Sequence, residues 1–259
     1  MATMTGSPHP RRDPRHIDIA AGTAEHEWQA DGRLQTLPEI ELCHLVPPRS
    51  RAVVLAPHPD DETLGCGGLI ARLAAMMRDV SVIAVSDGER SHPASSALAS
   101  RLALVRPAES RAALECLGAA YNELLRAHIP DGHVRRHRAE LKTWLLSQLR
   151  PTDIVFAPWR LDGHPDHEAV GEVAAELEHE IGCKLVEVPI WGWHWAEPAS
   201  GSFPWGRAHK LPFDAATEWK KRRALRCYHS QIARDGAHDP VLPAGVLAHF
   251  VRPYEVFFL

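Results

Sequence analysis

The feature that most constrains this chain is a rhythm of short, unbroken apolar runs alternating with longer segments of helical periodicity. Arg51-Ala-Val-Val-Leu-Ala56 is one such run, closed by Pro57, and Val80 to Val85 is a second, stopped by Ser86-Asp87-Gly88. Runs this short and uniformly apolar suit strands covered on both faces. Asp153 to Ala157 and Lys184 to Ile190 read as further strands, less uniformly apolar, and the apolar end Tyr254 to Leu259 suits a last one. Helical patterning falls at Gly68 to Arg78, with Leu69, Ile70, Leu73, Met76 and Met77 on one face. It recurs at Arg106 to Leu117, Glu140 to Leu149, Asp166 to Ile181 and Trp219 to Tyr228. Gly118 and Gly182 stand where helix C-caps are expected. Strand and helix in this order predict an α/β fold with a mostly parallel sheet and helices on both faces.

The length of 259 residues suits one large domain. Residues 1 to 35, with Pro8, Pro10 and Pro14, read as a poorly ordered arm, which leaves 36–259 as a single folded domain. The apolar fraction of 45% is ample for a core, and a net charge of −4 with a pI near 6.5 gives no basic footprint for nucleic acid. The one basic run, Lys220 to Arg223 followed by Arg226, reads as a solvated helix face. No stretch approaches the ~18 apolar residues of a membrane span, and the first residues lack the apolar core of a secretory signal. Five scattered cysteines without C-x-x-C spacing argue for a reduced, cytoplasmic protein and against a cysteine-ligated zinc. Homo-oligomerisation is left open.

Two loops carry the chemistry. The first apolar run leads into Pro57-His58-Pro59-Asp60-Asp61-Glu62, and the run at Ile154 leads into Gly163-His164-Pro165-Asp166-His167-Glu168. In a doubly wound sheet, ligands bind beyond the carboxyl ends of the strands that flank the reversal of strand order. If the two runs are neighbours there, the loops converge. His58 and Asp61 are three apart, as are His164 and His167, and imidazole with carboxylate suits a divalent ion such as zinc. A catalytic site takes three protein ligands, so four candidates leave one imidazole for other work. Gly65-Cys66-Gly67-Gly68 lacks dinucleotide-binding spacing and reads as close packing of a helix on the sheet.

These residues resemble the PIG-L/LmbE-like N-acetylglucosaminyl deacetylase family, in its bacterial branch without a membrane anchor. The resemblance rests on Pro57 to Glu62 and Gly163 to His167, with support from Asp87-Gly88-Glu89, Arg106-x-x-Glu109 and Cys227-Tyr228-His229-Ser230-Gln231. It implies a Rossmann-like fold, a zinc ion (or Fe2+ or another divalent metal), and hydrolysis of an N-acetyl group from a small amino-sugar substrate. Carried over by motif position, His58, Asp61 and His167 would hold the metal. Asp60 would be the general base, and His164 would stabilise the oxyanion. Arg106 matches a substrate-contacting arginine, and Asp87 joins it as a substrate-binding candidate. Hydrolysis of another amide, such as an acylated antibiotic or a thiol conjugate, is the alternative reading, with an inert binding protein of the same fold behind it.

Some relatives carry a tyrosine two residues before the first histidine of the second motif. Asp162 stands there, and an ionised carboxylate cannot donate the hydrogen bond a tyrosine would. The loop containing it is expected to border the acyl pocket. Sugar recognition needs flat apolar surface. In Ile190-Trp191-Gly192-Trp193-His194-Trp195, Trp193 and His194 are expected to line the pocket, while Trp191 is divided between pocket and core.

Overall fold

A computed structural model describes residues 17, 21–90, 96–120, 123–234 and 239–259. Seven strands form one sheet: β1 (Ala52–Ala56), β2 (Val80–Ala84), β3 (Glu123–Arg126), β4 (Ile154–Pro158), β5 (Lys184–Val188), β6 (Ala208–Pro212) and β7 (Tyr254–Phe258). The principal helices are α1 (Glu25–Asp31), α2 (Arg33–Thr36), α3 (Leu42–Leu45), α4 (Asp61–Ala75), α5 (Ser96–Leu117), α6 (Arg138–Gln148) and α7 (Pro165–Ile181). Four more follow: α8 (Gly192–Trp195), α9 (Ala215–Leu225), α10 (His229–Ile232) and α11 (Ala244–Leu247).

The strand order is β3-β2-β1-β4-β5-β7-β6. The first five strands are parallel, whereas β7 runs antiparallel to both β5 and β6. The order reverses at β1, which has β2 on one side and β4 on the other, with Ala52 opposite Ile154 and Val54 opposite Phe156. The Rossmann-like α/β expectation therefore holds, and the two motif-bearing loops leave adjacent strands. Alternation along β1 feeds two cores. Val54 packs with α4, and Val53 and Leu55 pack with α6 and α7.

Two helices begin earlier than the sequence pattern suggests. α4 starts at Asp61 and runs through the glycines. A Cβ at Gly65 would lie 2.5 Å from Val188 Cγ1, so this glycine lets α4 pack closely on β5, as expected of the glycine cluster. α5 starts at Ser96 and continues through Pro107, which as a sequence signal marks a helix start rather than an interior.

The basic run is not uniformly solvated. Arg222, Arg223 and Arg226 are exposed, but Lys221 is buried. Its Nζ donates to Glu255 at 2.7 Å and to the Leu64 carbonyl at 2.8 Å, while Glu255 accepts from Gly68 N and Leu69 N. The cation ties α9 to the middle of α4 and is fully paired where it is buried.

The expected N-terminal arm needs correcting over its second half; residues 1–16 and 18–20 lie outside the described residues. α1 buries Trp28 at 1% exposure, edge-on to Trp193 at 5.1 Å and stacked on Phe203 at 5.2 Å. Glu25 fastens the helix to the tail by accepting from His249 Nδ1 and from Arg252 Nε and Nη2 at 2.5–2.8 Å. Burial pushes its carboxyl up, but Arg252 and His249 outweigh that and hold it at about 2 against an ordinary 4.5. A carboxyl that titrates lower folded than unfolded adds stability above pH 4.5, and that stability is lost as pH falls through about 2. Glu25→Gln is therefore expected to cost on the order of 1–2 kcal/mol at pH 7, after allowing for solvent screening. Urea denaturation should show the gap shrinking to less than half at pH 3.

Candidate metal centre and active-site cavity

The loop after β1 is strained at one residue. Asp60 has φ 128°, a region that side chains other than glycine seldom adopt, at a typical cost of ~1–3 kcal/mol. Its neighbours hold it there. Asp60 N donates to Glu62 Oε2 at 3.0 Å, Gln231 Nε2 donates to the Pro59 carbonyl, and Tyr228 donates to the other Glu62 oxygen at 2.8 Å. The strain turns Asp61 back, so that its Oδ2 accepts from His58 N at 2.9 Å and stands beside the His58 ring.

Three ligand atoms meet at one point. His58 Nδ1 lies 3.3 Å from His167 Nε2 and 3.4 Å from Asp61 Oδ2, and His167 Nε2 lies 3.2 Å from Asp61 Oδ2. Tetrahedral bonds of ~2.0–2.1 Å place neighbouring ligand atoms about 3.3 Å apart, so the triangle fits a small divalent ion. The electrostatics agree with a cation at this focus. Burial opposes charge on both groups, yet His167 and His58 draw Asp61 well below the carboxylate range, and Asp61 with Asp162 raises His167 to about 9.

Carboxylates behind the ligands fix their rings, as second partners of metal-bound histidines do. His58 Nε2 faces Asp131 Oδ1 at 3.2 Å and Asp166 Oδ2 at 3.4 Å. Asp166 is itself clamped by Gly132 N at 2.7 Å and Val134 N at 3.1 Å, so the loop after β3 is a third contributor to the site. Neither acid stands out in the sequence as a site residue. Asp166 looks like an ordinary first-turn helix acid, and Asp131 carries no local signal.

His164 is the spare imidazole. It caps α7, with Nδ1 accepting from Asp166 N at 3.2 Å, which leaves Nε2 to carry the proton. Burial and the neighbouring His58 and His167 lower it to about 3, so it stands neutral as a hydrogen-bond donor. Burial, together with the charges of Asp61 and Glu62, raises Asp60 well above its ordinary range, and Arg106 and His58 oppose that rise.

His58, Asp60, Asp61, Arg106, His164, Trp191 and Gln231 all border one cavity of about 330 Å³, completed on its apolar side by Leu64 and Leu242. Arg106 reaches it through a brace built from two motifs. Its Nη1 donates to the Gly88 carbonyl and its Nε to Ser230 Oγ at 3.3 Å, while Glu109 accepts from Ser230 N and Oγ. A Cβ at Gly88, where φ is +66°, would meet the guanidinium at 2.4 Å, so only glycine lets the arginine pass.

Three residues expected to contact substrate fall elsewhere. Asp87 pairs with Arg126 at 2.7 Å and faces His128 at 3.5 Å, on the β3 side of the loop. Trp193 is buried beneath Arg252, whose guanidinium carbon lies 4.2 Å from the ring centroid, and it packs edge-on to Phe203. His194 is buried against Gly22 and Thr23, the latter donating to its carbonyl at 2.7 Å. The tryptophan on the cavity is Trp191, near-parallel to His164 with centroids 6.5 Å apart. Asp162 does not border the cavity either. It is fully buried, with Oδ2 accepting from His167 Nδ1 at 2.9 Å.

Fold and site together define a doubly wound α/β protein with a histidine–carboxylate focus at its topological switch point. Residues 53–177 match the family model described as PIG-L: GlcNAc-PI de-N-acetylase. That match, together with relatives named as deacetylases, supports the PIG-L/LmbE-like N-acetylglucosaminyl deacetylase family. The diacetylchitobiose deacetylase of Thermococcus kodakarensis is 30% identical over 49% of this chain and 48% of its own. The 1D-myo-inositol 2-acetamido-2-deoxy-alpha-D-glucopyranoside deacetylase of Rhodococcus jostii is 31% identical over 51% of this chain and 54% of its own. The chain thus spans about half the length of the curated relatives it matches. Among solved structures, the conserved protein TT1542 of Thermus thermophilus shares the fold, with a TM-score of 0.59 at 24% identity over 81% of this chain and 94% of that one. Among the described residues, no helix is long and apolar enough to cross a membrane.

Proposed function

We propose that the protein is a zinc-dependent N-deacetylase that hydrolyses the N-acetyl group of an N-acetylglucosamine-type amino sugar or glycoconjugate. The observation that carries this is the triangle of His58 Nδ1, Asp61 Oδ2 and His167 Nε2 with 3.2–3.4 Å edges, set beside a strained Asp60 and a neutral His164 on one cavity. The names of the curated relatives supply the amino-sugar substrate class. All five cysteines are free, in keeping with a reducing, cytoplasmic setting.

His58, Asp61 and His167 would hold a divalent ion, which would supply Lewis-acid chemistry: polarisation of a carbonyl and acidification of water at neutral pH. Asp60 accepts the proton that the attacking water loses, and its raised affinity for protons suits it to hold that proton. The same carboxyl then delivers the proton to the departing nitrogen, so amide and water become amine and acetate. His164 donates its Nε2 hydrogen to the developing oxyanion, a contribution of roughly 3–4 kcal/mol for one such donor. This donor stands where the absent tyrosine leaves none. Arg106 lends a buried positive charge to the cavity floor.

Trp191 offers the flat apolar wall a sugar ring needs. Trp191→Ala is expected to raise KM about 10-fold with little change in kcat, the mark of binding shared by ground and transition states. The reading is tested by assaying N-acetylglucosaminyl-inositol, diacetylchitobiose and an N-acylated glycopeptide for free amine and acetate, with and without a chelator. Chelator-sensitive acetate release from either of the first two supports it. Release only from the glycopeptide moves the substrate, and no release from any of the three overturns it.

A further inference from the structure

Asp162 is, among the described residues, a heavily engaged side chain that the proposed chemistry does not use. Its Oδ2 accepts from His167 Nδ1 and Trp191 N, each at 2.9 Å. Its Oδ1 accepts from Ile190 N at 2.9 Å and Gly192 N at 3.0 Å, and its backbone carbonyl accepts from Trp195 Nε1 at 2.7 Å. Four donors fill the four lone-pair sites of an ionised carboxylate. The side chain is fully buried, so water replaces none of them.

We infer that Asp162 is a positioning residue that joins His167 of the metal focus to the Ile190–Gly192 turn carrying Trp191, so that ligand geometry and cavity wall are set by one carboxylate. The inference rests on the reading of His58, Asp61 and His167 as metal ligands. By accepting at Nδ1, Asp162 keeps one ring proton on that nitrogen and turns Nε2 to the focus, where a metal ion would take the place of any second proton. By accepting three consecutive backbone N–H groups, it holds the turn that places Trp191 beside His164.

Asparagine separates these tasks, because its carbonyl accepts on one edge only and its NH2 is a donor. With the NH2 toward His167 and Trp191, the imidazole must accept at Nδ1 and keep its proton on Nε2, where a ligand lone pair is needed. With the NH2 toward Ile190 and Gly192, the ligand is preserved, but two amides of the turn face a donor. Neither orientation satisfies all four partners.

The test loads wild-type protein and Asp162→Asn with cobalt(II) against a competing chelator. It reads affinity, the cobalt visible spectrum, and amide hydrogen exchange across residues 186–196. Asp162→Asn is expected to bind cobalt about 10–100-fold more weakly, with an altered spectrum and faster exchange at 190–192 in the loaded state. Wild-type affinity, spectrum and exchange in the variant overturn the inference, and so does faster exchange alone with unchanged cobalt binding. Should the variant fail to fold, 15N-histidine NMR of the zinc-loaded wild type decides. A proton on His167 Nδ1 supports the inference and a proton on Nε2 overturns it. If the wild type takes up neither ion, the reading of the site falls and the inference falls with it. Wild-type uptake with an indifferent variant removes only the role of Asp162.

Discussion

Exchange of Asp60 for asparagine is expected to lower turnover by about two to four orders of magnitude, the usual contribution of a positioned general base, while bound metal stays near one equivalent. Asparagine keeps the shape of the side chain, and the bonds that hold the loop at φ 128° run through Asp60 N and the Pro59 carbonyl rather than the Asp60 carboxyl, so the backbone angle survives the change. The three atoms that meet at the focus belong to His58, Asp61 and His167, and none belongs to Asp60. What is lost is an oxygen able to take a proton and return it. The neighbouring charges of Asp61 and Glu62 sharpen the expectation, because they raise the proton affinity of Asp60 on top of burial, and the amide has none to raise. Turnover on the substrate found active, measured alongside elemental analysis of the same preparation, checks both halves. Near-normal deacetylation would remove Asp60 as the base; loss of metal would make it a ligand.

The parts of this site that are legible in the sequence are those that sit at the end of an apolar strand. β1 and β4 are covered on both faces and read as unbroken runs, so the loops that follow them stand out and their meeting follows from topology. β3 and β6 are sheet edges, short and partly polar (Glu-Leu-Leu-Arg and Ala-His-Lys-Leu-Pro), and carry no such signal. With β3 silent, the loop after it is silent as well, and no strand pattern places Asp131 beside His58. The misplacement of Trp193 has a related cause. Proline and charge in the first 35 residues read as an arm without a core, which hides Trp28 as the partner that buries Trp193. Once Trp28 packs there, the turn of α8 sends Trp193 inward and leaves Trp191 on the cavity. Asp162 reads in the sequence as the loss of a donor, whereas its role lies in what can donate to it. Three of its donors are backbone N–H groups that no side-chain pattern records.

Asp61→Ala should abolish metal binding and, with it, activity. Asp61 supplies the only carboxylate oxygen of the triangle, at 3.2 and 3.4 Å from the two imidazole nitrogens. The same oxygen accepts from His58 N, so its removal also frees the backbone that presents His58. Loss of an outer partner typically costs 10–100-fold in metal affinity, and loss of a ligand that also orders its neighbour is expected to exceed that, to beyond about 100-fold. Two imidazoles deprived of the carboxylate between them are left facing each other at 3.3 Å, with no negative charge among the three ligand atoms to offset that of the ion. Thermal unfolding separates this from a folding defect. A ligand at 100 times its Kd stabilises by about 2.7 kcal/mol, or ~5–10 °C for a domain of this size. Zinc should therefore raise the midpoint of the wild type and of Asp60→Asn alike and leave that of Asp61→Ala unmoved. A zinc-dependent rise in Asp61→Ala equal to the wild type's would show that the ion is held elsewhere, with the pair Asp131 and Asp166 behind His58 Nε2 as the first place to look.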